Sequence, residues 1–138
     1  FQSYVAIAVQ VKVGDQGELW IPRVDVAIDC GRYVNPEGVR KQMEGAATFA
    51  NSIARFGEIT ISQGAVDQSN FNDYPVTRLS EGPLAIHVHV IEDNVDKLPG
   101  GVGEPGVPPY APALLNAIYT ATGKRIRSLP LPADLRTA

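Results

Sequence analysis

The chain has 138 residues, 44% of them hydrophobic and 20% charged, with a net charge of −3, which is the composition of an ordinary globular domain. A chain of this length buries about two-thirds of its unfolded surface, and without a basic stripe to meet phosphates it argues against a nucleic-acid partner. The single cysteine, Cys30, permits no internal disulfide, and no apolar run approaches the roughly 20 residues that a bilayer-spanning helix needs.

Taken in chain order, Tyr4–Val13 is rich in β-branched and apolar residues and predicts a strand. Gly14, Asp15, Gln16 and Gly17 predict a turn, and Leu19–Asp29 the returning strand. Val24, Val26 and Ile28 alternate with Arg23, Asp25 and Ala27, so one face of that strand is expected to be buried. Asn35 suits a helix cap and Pro36 the first helical position, where no amide partner is needed. The helix is expected to run to about Arg55, with Val39, Met43, Ala46 or Ala47, Ala50 and Ile53 as its buried stripe. Its small residues Gly45, Ala46, Ala47 and Ala50 allow close packing against a sheet or a cofactor.

Residues 58–61 and the pair Ala65 and Val66 flank Ser62, Gln63 and Gly64, which predicts a hairpin. Residues 84–91 predict a strand with Ile86, Val88 and Val90 opposite Ala85, His87 and His89. A polar linker over 93–99 follows. Pro108, Pro109 and Pro112 open a second helix with Leu114, Leu115, Ile118 and Thr122 near one face. Gly123 stops that helix, and Lys124 and Arg125 suit the negative end of its dipole. Residues 126–131 are expected to form a short last strand. The order β-β-α-β-β-β-α predicts a single α+β domain over residues 1–138, with two main helices packed on a mostly antiparallel or mixed sheet.

The segment most informative about chemistry is Gly100-Gly-Val-Gly-Glu-Pro-Gly106, which places Glu104 in a glycine-rich loop just before a helix. Glycines let backbone approach a bulky ligand, and a carboxylate held there is a candidate general base. The bland reading is a solvated acid in a connecting loop. Gly101, Gly103 and Gly106 also spell G-x-G-x-x-G. That fingerprint needs a strand immediately before it and a helix opening on its last glycine; here Lys97-Leu98-Pro99 precedes and Pro108-Pro109 follows, so the match is a coincidence of glycines. Cys30 alone reads as a small buried hydrophobe. His87 and His89 share a strand face without an evident third ligand, so no metal site is assigned.

Four segments together resemble the molybdenum hydroxylases, the xanthine dehydrogenase and aldehyde oxidoreductase family. They are the 100–131 stretch, Asp29-Cys30-Gly31 with Asn35-Pro36, Gln42-Met43-Glu44-Gly45, and the 68–75 segment QSNFNDYP. The resemblance is nearest to the large subunit of isoquinoline 1-oxidoreductases. It implies a C-terminal fragment of a larger molybdopterin-binding catalytic subunit, with any targeting sequence upstream; compartment, bacterial cytoplasm or periplasm, then depends on sequence outside this chain. It further implies hydroxylation of an N-heteroaromatic or aldehyde substrate with water as oxygen source. Glu104 would be the base that activates the attacking oxygen, and Gln42 would contact the cofactor with an uncharged amide that both donates and accepts. Gly45, Gly101 and Gly103 are further expected contacts.

The implied cofactor is molybdopterin cytosine dinucleotide. Iron–sulfur clusters would sit on a partner small subunit, because they need sets of cysteines that this chain lacks. Ala46 stands where the family has a second glycine, and it would either narrow the cofactor approach or shift a helix contact. QSNFNDYP is expected to be a structural loop or subunit contact. The alternative to an enzyme part is a non-catalytic interaction module that retains the fold.

Overall fold

A computed structural model describes residues 1–92 and 94–136; Asp93, the first residue of the expected linker, lies outside them. Strands β1 (Tyr4–Val13) and β2 (Leu19–Asp29) pair antiparallel, from Tyr4 opposite Asp29 to Val13 opposite Leu19, with a register shift between Gln10 and Lys12. Helix α1 (Pro36–Phe56) follows, then a small hairpin of β3 (Ile61–Ser62) and β4 (Ala65–Val66). Strand β5 (Ile86–Val90) returns to pair parallel to β2, and helix α2 (Tyr110–Thr122) ends the ordered elements. The main sheet has the order β1-β2-β5 and is therefore mixed. Its parallel pair exists because α1 carries the chain back along the sheet, as a parallel connection requires.

Both helices cover one face of this sheet, α2 mainly over β1 and α1 over β5. Val24, Val26 and Ile28 of β2 are fully buried, while Val5, Ile7 and Val9 of β1 and Ile86, Val88 and Val90 of β5 flank them. The other face is exposed and carries Ala6, Ala8, His87 and His89, together with Arg23 paired to Asp25 at 2.6 Å. That guanidinium holds the Asp25 carboxyl down at about 2. His89 Nε2 lies 3.6 Å from Asp25 Oδ1, so both histidines belong to a solvated sheet face. Among the described residues no group of three or more His, Cys, Asp or Glu side chains could hold a metal ion.

Helix α1 is capped as its sequence predicts. The Asn35 side chain accepts from Gly38 N at 3.1 Å, and such a cap contributes about 1 kcal/mol. Burying each of Val39 and Met43 contributes about 1.5–3 kcal/mol, so packing outweighs capping in holding this helix. The buried stripe runs Val39, Met43, Ala46, Ala47, Ala50, Asn51 and Ala54. Ile53, expected on that stripe, is 37% exposed instead. At 3.6 residues per turn Asn51 and Ile53 flank the Met43 line about equally on opposite sides, so what packs against each flank decides that Asn51 is buried and Ile53 is not.

The expected last strand over residues 126–131 does not form; Pro130 and Pro132 cannot donate to a ladder, and Leu131 N–H instead donates to Ala54 O at 2.8 Å. Lys124 and Arg125 lie beyond the last turn of α2, whose own last turn holds no basic residue. Arg125 folds back, stacking 3.6 Å from the centroid of the Tyr119 ring and donating to Asn116 Oδ1 at 2.9 Å.

The QSNFNDYP segment is ordered from within. Asp73 Oδ1 accepts from Asn70 N at 2.8 Å, and its Oδ2 accepts from Ser69 N and Ser69 Oγ, each at 2.9 Å. The Asn70 N–H, then the Ser69 donors, hold this carboxyl below its ordinary value of 3.8. A depressed folded value means the loop contacts are fully present above 3.8 and are lost as pH falls through the folded value. In an NMR titration the Ser69 and Asn70 amide shifts should therefore move with a common midpoint below 3.8; a midpoint at or above that value would remove Asp73 as the organiser of the loop.

Candidate functional site

The Glu104 loop is anchored at both ends and in the middle, and the Asp29-Cys30-Gly31 motif supplies the leading anchor. Lys97 Nζ binds Asp29 Oδ2 at 2.9 Å, and Gly31 N donates to Asp29 Oδ1 at 3.0 Å. The Lys97 ammonium, then the Gly31 amide, hold the Asp29 carboxyl below the ordinary carboxylate range. Gly100 N donates to Cys30 O at 2.8 Å. Gly31 has φ +67, and a Cβ there would stand 2.6 Å from Leu98 O. Only glycine suits both that conformation and that approach. The amino-terminal end adds a clasp: Gly101 N donates to Phe1 O at 2.7 Å, and Ser3 Oγ donates to Gly101 O at 2.8 Å.

Beyond Glu104 the loop is seated on α1. A Cβ on Gly106 would stand 2.8 Å from Ala46 Cβ and 3.1 Å from Met43 Sδ, closer than packed carbon atoms sit. Ala46 is buried and turned toward the loop, whereas Gln42 and Gly45 are exposed. The extra methyl at 46 is thus a helix–loop contact opposite a residue that has no side chain. It does not project on the exposed side of α1.

Gln42 lines a cleft of about 350 Å³ together with Gly38, Tyr33, Gly100 and Val102. The structure therefore brings Gln42 and the acid loop to one place. Gly101, Gly103 and Glu104 are exposed in that loop. Nothing lies within 4 Å of where a Cβ on Gly45 or Gly103 would be, so both positions leave open backbone. The Glu104 carboxylate and the Gln42 amide have no hydrogen-bond or ion-pair partner among the described residues. Gly45 lies on the far side of this helix face, in a larger groove of about 780 Å³ bordered by Phe49, Ile53, Tyr74 and Leu84. That groove contains neither Gln42 nor any residue of the acid loop, whereas the smaller cleft takes in Gln42, Gly100 and Val102. Glu104 lines neither, and we place the candidate site at the smaller cleft because the loop that carries Glu104 borders it.

A buried polar cluster behind the loop escapes a reading of the sequence. Asn51 is fully buried, accepts from Tyr110 OH at 3.2 Å and donates to Thr77 Oγ1 at 3.1 Å. Burial pushes the Tyr110 phenol up, keeping it a donor. The available signal was position: Asn51 falls four residues after Ala47 and three before Ala54 on the apolar stripe, where a polar residue demands a partner.

A model of the molybdopterin cofactor-binding domain matches residues 1–83. The isoquinoline 1-oxidoreductase subunit beta of Brevundimonas diminuta is 35% identical over 94% of this chain and 16% of its own length. A membrane-bound aldehyde dehydrogenase of Gluconacetobacter polyoxogenes, whose name carries pyrroloquinoline quinone, is 33% identical over 86% of this chain and 15% of its own length. Among solved structures, a Cu,Mo-CO dehydrogenase superposes with a TM-score of 0.73 at 26% identity, over 86% of this chain and 16% of that one. The chain belongs to the molybdopterin cofactor-binding domain family. It spans about a sixth of the length of the curated relatives it matches.

The seat of the loop can be tested directly. Gly106→Ala overpacks the contact with Ala46 and should cost about 1–3 kcal/mol, read from urea unfolding. Ala46→Gly in the same chain should restore most of that loss; a double variant no better than Gly106→Ala would show that the two residues are not opposed.

Proposed function

We propose that residues 1–138 form one unit, the C-terminal segment of a molybdopterin-dependent hydroxylase subunit, acting on an N-heteroaromatic or aldehyde substrate with water as oxygen source. The observation that carries this reading is an exposed, unpartnered carboxylate, Glu104, on a loop tied to the cleft that Gln42 lines. The names of relatives span both substrate classes, isoquinoline in one and aldehyde in another. Bound molybdopterin, as its cytosine dinucleotide, would supply the two-electron chemistry, and iron–sulfur clusters on a partner small subunit would take the electrons onward.

The residues fit such a group as one wall of its site. A cleft of about 350 Å³ is at the low end of the roughly 300–1,000 Å³ that ligand pockets span. The other walls come from the remainder of the subunit. Exposed Phe49 (61%), Phe71 (88%) and Leu79 (98%) support a surrounding body, since apolar surface of this kind marks interaction sites. Gln42 offers one acceptor and two donor positions without adding charge. Gly103 and Gly45 leave backbone open to the ligand, Gly45 from the side of the larger groove, while Gly101 is a contact that the family resemblance implies and Phe1 packs beside it. Glu104 takes a proton at its carboxylate as the attacking oxygen forms its bond to carbon, and later returns it to solvent.

In the full-length subunit, Glu104→Gln should leave molybdenum content unchanged and lower turnover roughly 10²–10⁴-fold, the usual weight of a positioned base. Turnover that survives the change would reject Glu104 as the base. This chain alone, purified from molybdate-replete cells, should carry almost no molybdenum by plasma mass spectrometry. Near-stoichiometric metal would overturn the account of a site shared with missing segments.

A further inference from the structure

We propose that Asn51 and Tyr110 are positioning residues for the Glu104 loop, joining it through the core to the turn at 77–82. Asn51 is fully buried on the apolar face of α1. Its amide is used on both sides. Oδ1 accepts from Tyr110 OH at 3.2 Å, and Nδ2 donates to Thr77 Oγ1 at 3.1 Å and to Glu81 O at 3.4 Å. Arg55 Nη1 donates to the same Glu81 O at 2.7 Å, and Thr77 N donates to Ser52 Oγ at 3.0 Å. No buried side-chain nitrogen or oxygen is left unmatched among the described residues.

From Tyr110 the path to the acid is short. Tyr110 N donates to Val107 O at 3.3 Å, and Val107 N donates to Glu104 O at 3.0 Å. Tyr110 is itself fully buried and is the first residue of α2. Helix α2 has no side-chain cap at its N-terminus, so its first turn takes its place from this phenol and from Gly106 on α1. A fully satisfied amide in an apolar core specifies one arrangement, because any other leaves a polar group buried without a partner. The leading half of the loop is held separately by Cys30, Phe1 and Ser3. The Asn51 network therefore controls the half that follows Glu104.

The consequence for catalysis rests on the reading of Glu104 as base; the coupling itself does not. The test is amide exchange by NMR on this chain, comparing it with Tyr110→Phe and Thr77→Val. In Tyr110→Phe the amides of Val107 and of position 110 should exchange roughly three- to tenfold faster, the effect of one lost hydrogen bond on a local opening. The β2 amides and the Gly100 and Gly101 amides should not change. Thr77→Val should speed the Glu81 and Gly82 amides and, to a smaller extent, Val107 through Asn51; a Val107 amide unmoved there would overturn the link to the turn.

If Val107 is unmoved in Tyr110→Phe, or if exchange rises equally throughout the chain, the coupling is overturned. Should that variant fail to fold, the Asn51→Leu/Tyr110→Phe pair, which leaves neither of these two partners facing an unmet one, carries the same test at Val107. In the full-length subunit Tyr110→Phe should lower kcat while leaving KM and metal content in place. Undiminished turnover in Glu104→Gln would sink the base reading and leave the exchange result standing, so the two failures are distinguishable.

Discussion

The central strand β2 imposes the constraint on which the rest depends, because it is paired on both edges and covered on one face by both helices. Its edges take an antiparallel partner in β1 and a parallel one in β5. Val24, Val26 and Ile28 fill the space beneath α1 and α2. With the period of two fixed by this burial, a slip of one residue would turn Arg23 and Asp25 into the core. Charged side chains are almost never fully buried unpaired, so the register of the whole sheet is determined here.

The end of the same strand organises the candidate site. Where β2 stops, Asp29 holds Lys97, the Cys30 carbonyl holds Gly100, and Gly31 leaves room for Leu98. The start of the acid loop is thereby tied to the most buried element of the fold. Its far end is tied to α1 by Gly106 on Ala46 and by Tyr110 on Asn51. Between these supports the Glu104 carboxylate has no partner among the described residues. An exposed carboxylate on a loop held at both ends is available to a ligand, and the supports limit where it can reach.

The departure at Ala46 shows how one contact changes the meaning of a residue. Seen as a position in a cofactor motif, a methyl group there reads either as an obstruction to the cofactor or as a shifted helix contact. In the fold it faces Gly106 and seats the loop, while Gln42 and Gly45 look outward on other sides of the helix. The Asp73 loop is a parallel case. Its polar residues are used mainly to satisfy one another, so a dense polar motif there orders a surface segment.

By itself the sequence determined the strands β1 and β2, helix α1 with its Asn35 cap, the hairpin turn at Gln63 and Gly64, the α+β class, and Glu104 and Gln42 as the side chains to examine. Each depends on local signals: alternation, capping chemistry, glycine and proline placement, or a motif whose residues are close in the chain. Only the tertiary structure decided that β5 lies parallel to β2, that Asn51 and Ala54 are buried in place of Ile53, and that residues 126–131 lie against Ala54 without forming a strand. It also decided that Asn51 meets Tyr110 across 59 positions. Those outcomes depend on which surfaces meet after the chain has closed, and a helical or strand period specifies a face without specifying what will cover it.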